Sequence, residues 1–378
     1  MIGAIMQALS VTRLNQGVSL NTQAVALELF PELALAASDK PARAKRATKP
    51  KTAKKVAAEV AQPATAQLTA TEAHTTSDDA WEEMARKLES HPDYRVQRRL
   101  KPLLTWPGAQ GELVVRMVVL DTETTGLDAS KDSIIELAML RVDIDAATGL
   151  PVGDVQVYDG LEDPGRPIPP EVVALTGIHD ADVQGQRLDE ARINQLLEGV
   201  DLIVAHNAGF DRPFVESRLA QFAPVPWACS FADIDWKAQG QSSSKLESLA
   251  QAHGWFYDAH RAEMDCHALL AVLAQKLPQA AHTGLAQLLD AAKRPSYALQ
   301  ATNAPFEAKD KLKSRGYRWN AEQRVWHTKL KDDVSLNAEC AWLKENVYGT
   351  RRSVVQIEKL DALVRFSSRT GVVTQQQI

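Results

Sequence analysis

The chain has 378 residues, of which 45% are hydrophobic and 24% charged, values typical of a globular protein that buries a core without disulfides. Its three cysteines form no CxxC pair, which excludes a cysteine-based zinc site and a disulfide framework and favours the reducing cytoplasm. No apolar run approaches the ~18–20 residues that span a bilayer, and no secretory signal is expected at the N-terminus.

The net charge of −5 hides an uneven distribution of charge along the chain. Residues 40–55 carry lysines and arginines without an acid, a second basic stretch spans 309–331, and the acids concentrate between the two. An acidic centre with basic flanks suits metal ions that act on a polyanion.

The N-terminal residues predict little packed structure. Residues 1–36 favour short helical segments. Residues 37–78 are rich in Ala, Lys, Pro and Thr and cannot bury enough apolar surface to offset their ordering entropy, so we predict a basic, disordered linker. A helical lead-in is predicted over 79–110 from the spacing of Trp81 and Leu88.

Strand patterns begin after residue 111. Residues 114–120 are nearly all apolar and β-branched, as in a central buried strand, and further strands are predicted at 134–144 and 152–158. The segments that follow alternate, with helices predicted at 170–175, 188–197, 214–219, 245–253 and 262–276 and short strands at 202–205 and 227–231. This order predicts an α/β domain over 111–280, with a mixed sheet flanked by helices.

The first candidate site residues directly follow the central strand. Side chains at i and i+2 of a strand share a face, so Asp121 and Glu123 present two carboxylates side by side. Such a pair is costly to bury unless a positive charge lies between them, and a divalent metal supplies that charge. For this pair alone, two solvated acids at a strand end are the alternative.

Two further acids lie at the ends of predicted elements. Asp211, in the segment HNAGFD at 206–211, follows a buried strand and opens a helix, where a helix N-cap is its alternative role. Asp265 faces inward on an apolar helix stripe and needs a partner such as a metal. His260 is predicted to lie in the loop before that helix, free to move over the site; a structural or exposed histidine is the alternative.

In this order and on these element ends, the motifs resemble those of the DEDDh exonucleases. This DnaQ-like family includes the proofreading epsilon subunit of bacterial DNA polymerase III. The resemblance covers about 114–277 and rests on three motifs, Asp121-x-Glu123 followed by Thr-Gly, His206-Asn207-x-x-Phe210-Asp211, and His260-x-Ala262-x-x-Asp265. Residues 175–178 (LTGI) also match a recurrent family segment, with His179 where Thr or Ser is commoner.

The resemblance implies a ribonuclease H-like fold and a 3′–5′ exonuclease that releases nucleoside 5′-monophosphates. It implies two divalent ions, Mg²⁺ or Mn²⁺, held by Asp121, Glu123, Asp211 and Asp265. His260 would act as the general base, a role that its unperturbed pKa of about 6.5 suits. The implied contacts to the terminal nucleotide come from the backbone of Thr124 and Thr125, a wedge at Leu127, and the pocket residues Asn207 and Phe210.

A small basic and aromatic module is predicted over 296–331, followed by a tail of unclear structure at 332–378. Aromatic rings stack on unpaired bases while cations meet phosphates. The candidate nucleic-acid-binding residues of this module are Arg315, Tyr317, Arg318, Trp319, Arg324 and Trp326. A small hydrophobic core with a solvated basic surface is the alternative.

Residues 26–30 (ALELF) resemble the pentapeptide that binds the bacterial sliding clamp, although Ala26 stands where Gln is expected. Placed before a flexible tether, such a segment would raise the effective concentration of the enzyme at DNA; one face of a short helix is the alternative. The expected partners are therefore single-stranded or frayed DNA 3′ ends and a sliding clamp or polymerase, in proofreading or repair.

Two rival functions remain open from the sequence. An exoribonuclease that trims RNA 3′ ends would meet the 2′-OH, and no residue is assigned to reading that group. A non-catalytic nucleic-acid adaptor would keep the fold as a scaffold, but it has no need of four carboxylates and His260.

Overall fold

A computed structural model of the chain describes residues 72–108, 111 and 113–378, with side chains from residue 79 onward. The predicted segment 1–36, the clamp-like pentapeptide and most of the basic linker lie outside the described residues. The described residues belong to two units, one that includes residues 72–96 and one that includes residues 97–378. In the part of the chain that is described, no helix is long and apolar enough to cross a membrane.

The unit that includes residues 72–96 contributes one described element, helix α1 (Glu72–Glu89). This helix begins before the predicted boundary at residue 79 and ends well short of 110. It ends because Pro92 follows closely, and a proline disfavours helical backbone in the residue before it. The helical lead-in predicted over 79–110 is therefore wrong in its second half, where the other unit begins with two short strands.

The unit of residues 97–378 contains a six-stranded mixed sheet in the order β2-β5-β4-β3-β6-β7. Its strands are β2 (Thr105–Trp106), β3 (Val114–Thr124), β4 (Ile134–Asp145), β5 (Leu150–Leu161), β6 (Leu202–Ala205) and β7 (Trp227–Cys229). The central strand β3 pairs antiparallel with β4 and parallel with β6. A separate parallel pair joins β1 (Arg98–Arg99) to β8 (Trp255–Phe256).

The helices of this region lie on both faces of the sheet, which confirms the predicted fold class. They are α2 (Pro170–Thr176), α3 (Asp180–Val183), α4 (Glu190–Leu197), α5 (Ala208–Arg218), α6 (Ser230–Asp233), α7 (Leu246–Ala252), α8 (Ala262–Leu273) and α9 (Gly284–Ala292), with a 3-10 turn at Ala220–Phe222. Side chains of β3 point alternately to the two faces of the sheet and pack in two hydrophobic cores. Met117 and Val119 pack with α8, and Val118 and Leu120 pack with α4 and α5. The first core reaches Leu288 in α9, beyond the predicted boundary at residue 280.

Residues 296–378 form a second, five-stranded antiparallel sheet in the order β10-β11-β9-β12-β13. Its elements are β9 (Ser296–Ala301), α10 (Lys309–Ser314), β10 (Arg318–Asn320), β11 (Val325–Leu330), α11 (Asp333–Leu343), β12 (Val354–Leu360) and β13 (Val372–Gln377), with a 3-10 turn at Phe306–Ala308 and a π turn at Lys344–Tyr348. One apolar core joins residues before and after 331. The segment 332–378, which had no predicted structure, thus completes the small module.

The connection between β12 and β13 packs against the larger sheet. The amide of Trp227 in β7 donates to the carbonyl of Ala362 at 2.8 Å, and the guanidinium of Arg365 bonds the carbonyl of Trp227 at 3.3 Å and the carboxylate of Asp233 at 3.0 Å. Phe366 packs on the core beside β7. The outer edge of β7 is therefore covered by residues from the end of the chain.

Candidate active site

Strand register brings the predicted acids together. Leu120 pairs with Ala205, so β3 and β6 end at the same edge of the sheet. Asn207 turns the chain from β6 into α5 with a left-handed backbone (φ 83°), and α5 then carries Asp211 to the end of β3. There the hydroxyl of Thr122 donates to Oδ1 of Asp211 at 2.8 Å.

Three carboxylates form a candidate metal centre among the described residues. One oxygen from each of Asp121, Glu123 and Asp265 lies within 4.8 Å of the others. Burial first, and then the neighbouring carboxylates, raise the pKa of Asp121 and Glu123 well above their usual range. Burial also raises the pKa of Asp211 and of Asp265 to about 7. Converging buried carboxylates that resist ionisation fit a divalent cation, because hard oxygen donors suit Mg²⁺ and Mn²⁺.

Asp265 is fixed by two donors. The hydroxyl of Tyr257 donates to its Oδ1 at 2.8 Å, and the backbone amide of His260 donates to its Oδ2 at 2.8 Å. His260 adopts a left-handed backbone (φ 67°), which is uncommon outside glycine. Burial lowers the pKa of His260 to about 4, so its imidazole is neutral at physiological pH and able to accept a proton.

His206 has a structural role beside the site. Its Nε2 lies 2.9 Å from the carbonyl of Ser244, so Nε2 carries the proton and donates. Its Nδ1 then accepts from the hydroxyl of Ser230 at 2.6 Å. Burial lowers the pKa of His206 to about 4, which agrees with this neutral tautomer. The imidazole thereby joins the end of β6 to the segment that leads into α7.

One pocket collects seven of the predicted site residues and several residues that the sequence reading missed. Its lining includes the predicted residues Asp121, Glu123, Asn207, Phe210, Asp211, His260 and Asp265. It also includes Lys245, Glu247 and Tyr257. Nothing in the local pattern marked these three, because α7 and the loop before α8 reach the pocket only through tertiary packing. Lys245 adds a cation to a lining that contains five carboxylates.

The predicted nucleotide-contact loop lies outside that pocket lining. The side chains of Thr124 and Thr125 are buried. Thr124 donates to the carbonyl of Gly126 at 2.6 Å, and Thr125 Oγ1 accepts from Arg166 at 2.7 Å. Both hydroxyls therefore brace the loop, and the amide of Thr125 also donates to the carbonyl of Ser133 at 2.9 Å, while Leu127 is partly buried.

The predicted nucleic-acid-binding residues of the small module divide into core and surface. Tyr317 is 1% exposed and packs in the module core, so its prediction as a stacking residue is wrong. Arg315 pairs with Glu339 at 3.2 Å and covers the ring of Trp342, while Trp326 is half-buried against Trp319. Trp319, 45% exposed, remains accessible together with two exposed cations, Arg318 and Arg324.

Comparison with known proteins identifies the family. The family profile described as Exonuclease (RNase_T) matches residues 118–273. The DNA polymerase III subunit epsilon of Treponema pallidum is 32% identical over 161 residues, which cover 40% of this chain and 71% of that protein. The chain belongs to the DnaQ-like exonuclease family. Its three family motifs supply Asp121, Glu123, Asp211 and Asp265, four of the five acids that line the pocket.

Two further matches cover very different shares of the matched proteins. The PolC-type DNA polymerase III of Listeria innocua is 38% identical over 104 residues, which cover 26% of this chain and only 6% of that relative. The solved structure of Exonuclease X in complex with 5′ overhanging duplex DNA has 25% identity and a TM-score of 0.30, covering 43% of this chain and 96% of that one.

The raised pKa values of the clustered carboxyl groups lead us to expect that they make the free energy of unfolding depend on pH. In EDTA, we expect Asp211 and Asp265 to lower the free energy of unfolding as the pH rises from about 4 to about 7, while the buried His206 and His260, whose folded pKa values are about 4, act in the opposite direction. The pKa values of Asp211 and Asp265 are about 7 in the folded protein but about 3.9 in an unfolded chain. Groups with a raised folded pKa contribute stability that is complete below the unfolded pKa and is lost as the pH rises through the folded pKa.

Urea unfolding in EDTA at several pH values in this range measures the effect. Saturating Mg²⁺ should remove most of the decline, because a bound cation favours the ionised carboxylates. The free energy of unfolding of Asp211→Asn minus that of the wild type should grow as the pH rises through this range, since only the wild type loses the contribution of Asp211 and the histidines are common to both proteins. A difference between the two proteins that stays constant or shrinks as the pH rises would contradict the prediction.

Proposed function

We propose that this protein is a DEDDh-type 3′–5′ exonuclease. It hydrolyses phosphodiester bonds of single-stranded or frayed DNA from the 3′ end and releases nucleoside 5′-monophosphates, in proofreading or repair. The convergence of four acids with His260 in one pocket carries this proposal. A scaffold for nucleic-acid binding would gain nothing from burying carboxylates that repel one another.

Asp121, Glu123, Asp211 and Asp265 would hold two divalent ions, Mg²⁺ or Mn²⁺. When bound, such ions stabilise the charge that develops at phosphorus and on the departing oxygen. The protein then has two further tasks. Tyr257 and the amide of His260 orient Asp265, and the neutral His260 takes a proton from the attacking water.

The substrate is expected to meet three kinds of surface. Asn207 and Phe210 line the pocket beside the acids, and the backbone of the Thr124–Thr125 loop continues from the same strand. Lys245, which lines the same pocket, would offer a cation to a phosphate. On the small module, Arg318, Trp319 and Arg324 form a candidate contact for the single strand away from its 3′ end.

DNA is the first substrate to test, since the relative from Treponema pallidum is named as a DNA polymerase subunit. Single-stranded DNA labelled at its 5′ end should shorten stepwise in Mg²⁺, and a 3′ label should appear at once as a mononucleotide. EDTA should abolish both signals. A matched RNA oligonucleotide distinguishes the exoribonuclease, and a faster rate on RNA would favour that alternative.

Tight DNA binding without nucleotide release, in Mg²⁺ and in Mn²⁺ and on either nucleic acid, would reject the enzyme in favour of an adaptor. A clamp partner is a separate proposal, resting on residues 26–30 outside the described chain. A pull-down with a bacterial sliding clamp tests it, with Leu29→Ala/Phe30→Ala as the control; binding that the substitutions leave unchanged would reject it.

A further inference from the structure

Glu136 is a fully buried acid beside the candidate metal ligands. It is the register partner of Glu123 across β3 and β4, and it is 0% exposed. After burial itself, its charge is one of those that raise the pKa of Asp121 and Glu123. A buried charge that opposes the ionisation of its neighbours needs strong compensating interactions of its own.

Those interactions come from the start of α8. Arg261 donates to Oε1 of Glu136 from Nε at 3.0 Å and from Nη2 at 2.8 Å. The amide of Ala262, the first residue of α8, donates to Oε2 at 3.0 Å. A carboxylate at a helix N-terminus satisfies an amide that lacks an intrahelical partner and interacts favourably with the helix dipole. Glu136 therefore fixes where α8 begins.

His260 immediately precedes these two residues. Its left-handed backbone is costly for a residue with a Cβ and persists only where the surroundings impose it. The surroundings act from both sides. Asp265 accepts a hydrogen bond from the amide of His260 at 2.8 Å. Glu136 accepts hydrogen bonds from the side chain of Arg261 and from the amide of Ala262. The short segment 260–262 is thus tied at each end to a carboxylate of the site.

We propose that Glu136 is a positioning residue for His260. Through Arg261 and Ala262 it imposes the backbone conformation that keeps the imidazole at the pocket containing the candidate metal ligands. The inference rests on the proposed function, in which His260 accepts the proton. Displacing a catalytic group by about 1 Å lowers the reaction rate by about 10²-fold. Replacing a residue that orients a metal-site residue lowers activity or metal affinity by about 10- to 100-fold.

The test is Glu136→Gln, which keeps the size of the side chain but cannot accept hydrogen bonds at both of its ends. We expect kcat on single-stranded DNA to fall about 10- to 100-fold, with KM and the Mg²⁺ concentration for half-maximal rate changed less than about threefold. The decisive comparison is with His260→Ala. The double variant Glu136→Gln/His260→Ala should have a kcat less than about threefold below that of His260→Ala alone, because Glu136 acts through His260.

Glu263→Gln is the matched control, since this acid lies on the first turn of the same helix and pairs with His267 at 3.7 Å rather than with Arg261. Its kcat should stay within about twofold of the wild type. Full wild-type kcat in Glu136→Gln would overturn the inference, as would a loss that multiplies fully with that of His260→Ala. An inactive wild type would instead reject the proposed function, so the two failures are distinguishable.

Discussion

Replacing Asp121 by Asn is expected to lower exonuclease turnover by about 10³-fold or more while making the metal-free protein more stable. The first effect follows from the loss of a ligand charge at the candidate metal centre. The second follows from the pKa of Asp121, which burial and then the neighbouring acids raise well above its usual range. Removing that repulsion should raise the free energy of unfolding in EDTA at pH 8 by about 1 kcal/mol or more.

Nucleotide release and urea unfolding, measured on the same preparations, test both effects. Excess Mg²⁺ should reverse the order of stability, because the wild type gains more from the cation than Asp121→Asn does. Asp128→Asn is the matched control, since the carboxylate of Asp128 pairs with Lys131 on the surface at 2.7 Å and lies outside the pocket. Wild-type activity in Asp121→Asn would contradict the assigned role of this residue.

A large loss of stability is expected when Arg212, next to Asp211 in α5, is replaced. Its side chain is 0% exposed and stacks over the ring of Trp227. It donates to three carbonyls of the β12–β13 connection, those of Ala362, Leu363 and Arg365, and to the carboxylate of Glu216 at 2.6 Å. Arg212→Met keeps similar bulk but leaves these acceptors buried without their donor, so we expect a loss of about 3–5 kcal/mol in the free energy of unfolding.

Arg369→Met is the matched comparison for Arg212→Met. Arg369 donates to the same carboxylate of Glu216 and to the carbonyl of Leu363, but its side chain is 40% exposed. Water can replace its bonds, so its loss should cost about 1 kcal/mol or less. Urea unfolding of the two variants separates a buried anchor from a surface contact. Equal losses would contradict the claim that burial makes Arg212 the stronger of the two.

The contacts between Arg212 and the β12–β13 connection also affect where the chain can be truncated. The sequence separates an exonuclease domain ending at residue 280 from the module and tail that follow. In the structure, residues 361–366 cover the edge of β7 and bind the helix that carries Asp211. A chain cut before residue 296 would expose that edge and Arg212. The C-terminal residues therefore support the candidate site from outside the matched family region.

Local pattern was enough to locate most of the elements that carry the site. Residues 202–205 are wholly apolar and residues 114–120 are apolar except for Arg116, and short runs of this kind are typical of buried strands in a mixed sheet. Each is followed at once by polar residues of a family motif. The spacing of Asp121 and Glu123 and the helical face of Asp265 depend only on the periodicity of a strand and of a helix. These features were therefore predictable without any tertiary contact.

The tail and the lead-in show where such reasoning stops. Residues 332–378 carry weak patterns because α11 has apolar residues on several sides and β13 is exposed along its length. Their structure depends on pairing with β9 and on the core shared with α10. Tyr317 shows the same limit, because an aromatic among cations is equally consistent with a stacking surface and with a small core. In the structure Tyr317 is buried, so it belongs to the module core.

The sequence by itself determined the α/β fold, the family motifs and the acids of the candidate site, because these depend on the period of each element and on residues close together in the chain. Only the tertiary structure decided which other side chains support those acids. Glu136 and Arg261 are 125 residues apart in the chain, and Arg212 and Arg365 are 153 apart. Contacts of that kind follow from strand order and helix packing, and no local pattern encodes them.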